Sequence, residues 1–186
     1  MDTQFDIEKI LAQGKITSEL ELERAMIADR KLRSLASNEP EFKSLRKKLR
    51  DLIEEYESKN WSASSDVSKK QLESSDFAES TAEEERVFLK NRKEAIKKKL
   101  NELMLTQQEF GEILGHSNKS YISELMNGIR PFSMHDLVVI HNLLDIPLKK
   151  LIPTSLGVQD LEKLEKSIKK VGTGRIKLSK GGLVTK

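Results

Sequence analysis

Leu105-Thr106-Gln107-Gln108-Glu109-Phe110-Gly111-Glu112-Ile113-Leu114-Gly115, continued through His116 to Arg130, is the stretch that decides the fold. Thr106 is a good N-cap, because its hydroxyl accepts from an amide the helix leaves without a partner, and Glu109 three residues on completes a capping box. Phe110, Ile113 and Leu114 recur at helical spacing, so one face of a short helix is apolar. Gly115 stops that helix where a left-handed backbone costs little. After the turn, Tyr121, Ile122 and Leu125 form a second apolar stripe, with Asn118, Lys119, Ser120, Ser123 and Glu124 on the other side. Gly128 ends the second helix. Two short helices joined by a tight turn, the second with a polar outward face, make a helix-turn-helix.

A polar helix face of this kind suits a DNA major groove. Leu105-Thr106-Gln107, the small residue at Gly111, Leu114-Gly115 and Tyr121-Ile122-Ser123-Glu124-Leu125-Met126-Asn127-Gly128 resemble the Cro/CI (XRE-type) family of DNA-binding domains. The run from Ser123 to Gly128, followed by Arg130-Pro131, Ser133 and another apolar helix, is similar to HigA-type antitoxins of bacterial toxin–antitoxin pairs. The resemblance extends from Phe88 to Ile152, and departs from the family at Gly115-His116-Ser117-Asn118-Lys119, which is slightly longer than the usual turn. It implies an all-α, five-helix domain of the lambda-repressor kind over residues 81–156.

Composition sets wider bounds. The chain has 186 residues, enough for one good core or two small ones, of which 37% are hydrophobic and 34% charged. A formal net charge of +3 is mildly basic, so the distribution of charge says more about partners than the total. With no cysteine, disulfides and thiolate metal sites are excluded. No long apolar run and no positive-then-apolar leader is present, and the expectation is a cytoplasmic protein without a membrane span.

Residues 1–60 are patterned as a helical module. Phe5, Ile7, Ile10 and Leu11 suit a first helix ended by Gly14; Ile16-Thr17-Ser18 caps a second that carries Leu20, Leu22, Ala25, Met26, Ala28, Leu32 and Leu35. Asn38-Glu39-Pro40 signals a third start. Phe42, Leu45, Leu49, Leu52, Ile53 and Tyr56 then give a continuous helical stripe. The module is either self-contained or a partner-binding surface; in the second reading Phe42, Leu45, Leu49, Ile53, Tyr56 and Trp61 are the candidate contacts. Trp61 alternatively closes the module's own core. Residues 61–80 are rich in serine and have the composition of a linker.

Ser80-Thr81-Ala82-Glu83-Glu84 reads as a second capping box, opening a helix with Val87, Phe88, Ala95, Ile96, Leu100, Leu103 and Met104 on its apolar face. Lys90, Arg92, Lys93, Lys97, Lys98 and Lys99 crowd its other faces, either as a solvated surface or, as the resemblance implies, to attract phosphate. Ser133 caps a helix with Leu137, Val138, Ile140, Leu143 and Leu144, and Leu148, Leu151 and Ile152 make a last short turn. Residues 157–186 read as a further helix and a basic tail, in which Arg175-Ile176-Lys177-Leu178 and Leu183-Val184-Thr185 either pair as a hairpin or fray.

Backbone contacts position a protein on DNA and base-edge contacts specify the site. Asn118, Lys119, Ser120 and Glu124 are the expected base contacts, lysine suiting guanine, asparagine adenine and glutamate the cytosine amine. The resemblance implies backbone contacts from Gln107, Asn127 and Arg130; Tyr121 and Ser123 complete that set. His116, His135 and His141 lack the paired spacing of a zinc site, no serine sits in a nucleophile elbow, and no glycine loop cradles phosphate. Neither catalysis, a metal nor a cofactor is expected. By resemblance, a homodimer binds a palindromic double-stranded operator, represses its own operon and neutralises an RNase-type toxin. The alternatives are a repressor without a toxin, or a helical adaptor that does not bind DNA.

Overall fold

The structure, a computed structural model, describes residues 5–37, 40–61, 68–154 and 158–171. Among the described residues all regular structure is helical: α1 (Ile7–Gln13), α2 (Glu19–Leu35), α3 (Glu41–Asn60), α4 (Lys69–Glu102), α5 (Gln107–Ile113), α6 (Lys119–Asn127), α7 (Met134–Leu144), α8 (Leu148–Leu151) and α9 (Val158–Val171). The tail hairpin expected over 175–185 lies outside them, as do Asn38 and Glu39 of the third start signal.

Two apolar clusters hold the chain. The first joins Ile7, Ile10 and Ile16 to Leu22, Ala25, Ala28 and Leu32 of α2 and to Phe42, Leu49 and Ile53 of α3. The helix limits follow the sequence: Asp6 and Ser18 accept from amides in the first turns of α1 and α2, and Gly14 closes α1 in the left-handed region at φ 67°. Arg46 clips α3 to Asp29 of α2 at 2.8 Å. The stripe from Phe42 to Tyr56 therefore packs inside the chain. Phe42, Leu49 and Ile53 are buried, Leu45 is half-buried, and Tyr56 and Trp61 both donate to the Glu19 carboxylate, at 3.0 and 3.3 Å. Of the candidate partner contacts, Phe42, Leu49 and Ile53 are thus taken up by the chain's own core, and Leu45, Tyr56 and Trp61 keep partly exposed edges.

The second cluster gathers Ile96 and Leu100 of α4, Phe110 of α5, Ile122, Leu125 and Met126 of α6, Leu137, Ile140 and Leu144 of α7, and Leu151 of α8. These five helices share one apolar core. Full burial of each large aliphatic side chain contributes roughly 1.5–3 kcal/mol, which outweighs the weak preference of short segments for helix.

The region between the clusters differs from expectation. Residues 69–80, read as linker, are the opening turns of α4, whose N-cap is Ser68 rather than Ser80. The reason is packing. Ala78 and Ala82 are buried on a helix that lies along α2, and small side chains let two backbones approach where a linker composition signals no core. Arg24 of α2 and Glu85 of α4 close the contact with a two-pronged ion pair, its Nε–Oε2 arm 2.7 Å long. Thr81, expected in a cap, instead donates back to the Phe77 carbonyl at 2.9 Å within the helix. One helix thus enters both cores, and the Trp61–Ser80 stretch is linker in composition only beyond its helical part.

The basic and apolar faces assigned to α4 are also redistributed. Arg92 is buried: it lies over the Phe132 ring at 5.2 Å and donates to the Leu151 carbonyl at 3.4 Å. Burial lowers its pKa to about 10. Val87, Leu103 and Met104, expected in the apolar face, are exposed, Met104 at φ 55° in the turn that ends α4.

Candidate nucleic-acid interface

The helix-turn-helix is α5 and α6. Thr106 and Glu109 make the expected capping box: the Glu109 amide donates to the Thr106 hydroxyl at 3.2 Å, and the Thr106 amide donates to the Glu109 carboxylate at 2.8 Å. That carboxylate is held below its usual pKa by the backbone and side-chain hydrogen bonds of Thr106. Gly111 faces the turn so closely that a Cβ there would lie 2.9 Å from the His116 carbonyl oxygen and 3.3 Å from Ile122. A small residue is what lets α6 cross α5. Asn118 caps α6, its side chain accepting from the Tyr121 amide at 3.0 Å, so the extra length of the turn is taken up before Lys119.

The turn is pinned to α7 by a buried carboxylate. Asp136 accepts from the Ser133 amide at 2.9 Å and hydroxyl at 2.8 Å, and sits 3.0 Å from His116 Nε2. The His116 ring also meets Tyr121 edge-on, with centroids 5.0 Å apart. His141 lies 2.7 Å from the Ile146 carbonyl. Both histidines serve the fold.

The expected DNA-reading residues divide along α6. At its beginning Asn118 and Lys119 are exposed, and Ser120, Tyr121 and Gln107 of the neighbouring helix end are half-buried. These stand together at one edge of the helix pair. At its far end the expectation fails. Ser123 and Glu124 are each only 6% exposed, so Glu124 does not face solvent as a base contact must. Its carboxylate binds the Arg130 guanidinium and its pKa is raised, chiefly by burial. Asn127 donates to the Ser123 carbonyl at 2.7 Å and accepts from Lys93 Nζ at 2.6 Å. Arg130 is bound by Glu8 as well as by Glu124 and lies over the Tyr121 ring at 5.2 Å.

Two helices reach this end: α4 through Lys93, and α1 through the loop that follows α6. The Ile7 amide donates to the Ile129 carbonyl at 3.1 Å, and the Ile129 side chain is fully buried in the N-terminal cluster. Sequence spacing alone puts Ser123 and Glu124 on the outward face of α6. It carries no signal for contacts supplied from distant parts of the chain, although Ile129, apolar in a loop between Gly128 and Arg130, is the residue that hinted at one.

A family model described as helix-turn-helix matches residues 96–151, the span from the last two turns of α4 to the end of α8. That stretch is a helix-turn-helix domain of the Cro/CI type. No curated protein and no solved structure matches the chain. Among the described residues no helix is long and apolar enough to cross a membrane.

Proposed function

We infer that a chain built around such a domain is a DNA-binding transcriptional regulator, reading sequence through the beginning of α6. The observation that carries this reading is the exposed pair Asn118–Lys119 at the N-terminal end of a helix whose opposite face is fully packed. Lys119 extends from a first turn that the Asn118 side chain caps, as direct readout of base edges needs, and it suits guanine O6/N7. Gln107, at the start of α5, supplies a side-chain amide and helix-end amides for a neighbouring phosphate. Lys97 and Lys98 on α4 remain exposed and add attraction to the backbone.

The finer reading is a homodimer on a palindrome that represses its own operon and neutralises a toxin. Its support is the resemblance of Ser123 to Pro131 to HigA-type antitoxins. The half-buried edges of Leu45, Tyr56 and Trp61 are the part of the proposed toxin surface that remains accessible. Co-purification of the full chain with the product of the adjacent reading frame tests the toxin; a chain that purifies alone from co-expression refutes it.

DNA binding is tested by selection from a random duplex library, followed by titration of the enriched site over a range of salt. Saturable binding with an affinity falling steeply as salt rises is expected, because neutralising phosphates releases counterions. No enriched sequence, with no retention of any duplex at low salt, refutes the reading.

A further inference from the structure

The far end of α6 is closed by contacts that helix-turn-helix packing does not require. Gly128 ends α6 and is backed by Leu89, but Ile129 turns away into the cluster made by α1, α2 and α3. Its carbonyl accepts from the Ile7 amide, one of the donors that the first turn of α1 leaves without an intrahelical partner. Next to it, Arg130 is bound by Glu8 of α1 and Glu124 of α6. Glu124 lies within the fields of Glu8 and of Glu41, the first residue of α3, and Tyr121 within those of Arg130, Asp136, Glu8 and Asp6. Arg130 is the cation that Glu8 and Glu124 share, and its hydrogen bond holds the Glu8 carboxyl below its usual pKa.

The edge of the candidate interface therefore faces carboxylates where DNA would bring phosphates. Glu8 is 65% exposed, so its bond to Arg130 is open to competition by another anion. Among the described residues, the loop meets the module through the Ile129 side chain, the Ile7–Ile129 hydrogen bond and the Arg130–Glu8 ion pair.

We propose that the α1–Ile129–Arg130 contact is a releasable clasp at the end of the DNA-reading helix, in which Glu8 takes the place on Arg130 that a DNA phosphate takes when the clasp opens. Withdrawal of the 128–131 loop from the module leaves the contacts of α2 with α3 and α4 in place. It opens the Glu8 side of Glu124 and frees Arg130 for the backbone. DNA affinity is then set by competition between an internal carboxylate and an external phosphate for one guanidinium. The inference rests on the DNA-binding reading above.

Full-length wild type and Glu8→Gln are compared by fluorescence anisotropy on the selected duplex, with amide hydrogen exchange of wild type free and bound. Glu8→Gln keeps the fold, since the side chain is exposed, and removes the competing charge. A roughly two- to five-fold gain in affinity is expected, the size of an exposed ion pair. The gain vanishes when Arg130→Gln is present in both proteins. In the DNA complex the Ile7 amide exchanges faster than in the free protein, while amides in the middle of α2 do not. Unchanged or weaker binding by Glu8→Gln, with wild type binding normally, overturns the clasp and leaves the DNA-binding reading standing. So does an Ile7 amide that stays protected in the complex. If neither protein binds any duplex, the DNA-binding reading fails and the clasp falls with it.

Discussion

Lys31 gives the most quantitative handle on how the two halves are joined. It is half-buried on α2, and its pKa is lowered from 10.5 to about 8, first by burial and then by Lys93, Arg86 and Arg92 of α4. The charged form is thus disfavoured in the folded chain relative to the unfolded one. Between pH about 8 and 10.5 the unfolded state holds more protons, so this group makes stability rise with pH through that window. Below about pH 8 the folded state carries the charge at a cost of about 3 kcal/mol, taking 1.36 kcal/mol per pKa unit. Lys31→Met keeps the aliphatic stem and removes the charge. The variant should be more stable than wild type by about 1–3 kcal/mol at pH 7, and the gain should shrink by about 2 kcal/mol at pH 9.5. Urea unfolding of both proteins at the two pH values measures it. Tyr56, whose pKa is raised from 10.0 to about 12 by burial and by its bond to Glu19, acts with the opposite sign and makes stability fall as pH rises above about 10, so both measurements are kept below that. A variant no more stable at pH 7, or a difference independent of pH, refutes the assignment of Lys31 as a desolvated cation at the α2–α4 contact.

The other consequences are structural and local. Ala82→Leu should destabilise the chain by about 1–3 kcal/mol, because Ala82 is 1% exposed where α4 lies on α2; unchanged urea unfolding would show that the two helices do not pack there. Gly111→Val should cost at least about 2 kcal/mol, since its Cβ would meet a backbone carbonyl at 2.9 Å; thermal unfolding of the variant checks it, and an unchanged midpoint contradicts the close crossing of α5 and α6. Asp136→Ala removes the capping-box carboxylate and the partner of His116, and should lower stability by about 1–2 kcal/mol. Calorimetry showing no loss would separate the turn from α7.

The helix-turn-helix was legible because its signals are local. Thr106 with Glu109, Gly115, Gly128 and the spacing of Phe110, Ile122 and Leu125 each act within a few residues, and each takes the predicted place. The helices of residues 1–60 were legible for the same reason. What escaped depends on contacts distant in sequence. Serines between residues 68 and 80 suit a linker in isolation, and become helical because α2 offers a surface to Ala78 and Ala82. The polar look of Ser123 and Glu124 gave no warning that both would be buried. Arg92 was counted with a solvated basic face, yet Phe132 and the Leu151 carbonyl accommodate its guanidinium inside. In each case an element too weakly patterned to fold alone is fixed by a partner that its own sequence does not reveal.

The central claim is that the beginning of α6 reads DNA sequence, and Lys119 tests it most directly. Wild type and Lys119→Ala are titrated against the selected duplex and a scrambled duplex of the same length at one salt concentration. The account predicts a loss of about 1–3 kcal/mol on the selected site with discrimination relaxed at one base pair, and a much smaller loss on the scrambled duplex. Equal losses on both would make Lys119 a phosphate contact only, and no loss on either would contradict the claim.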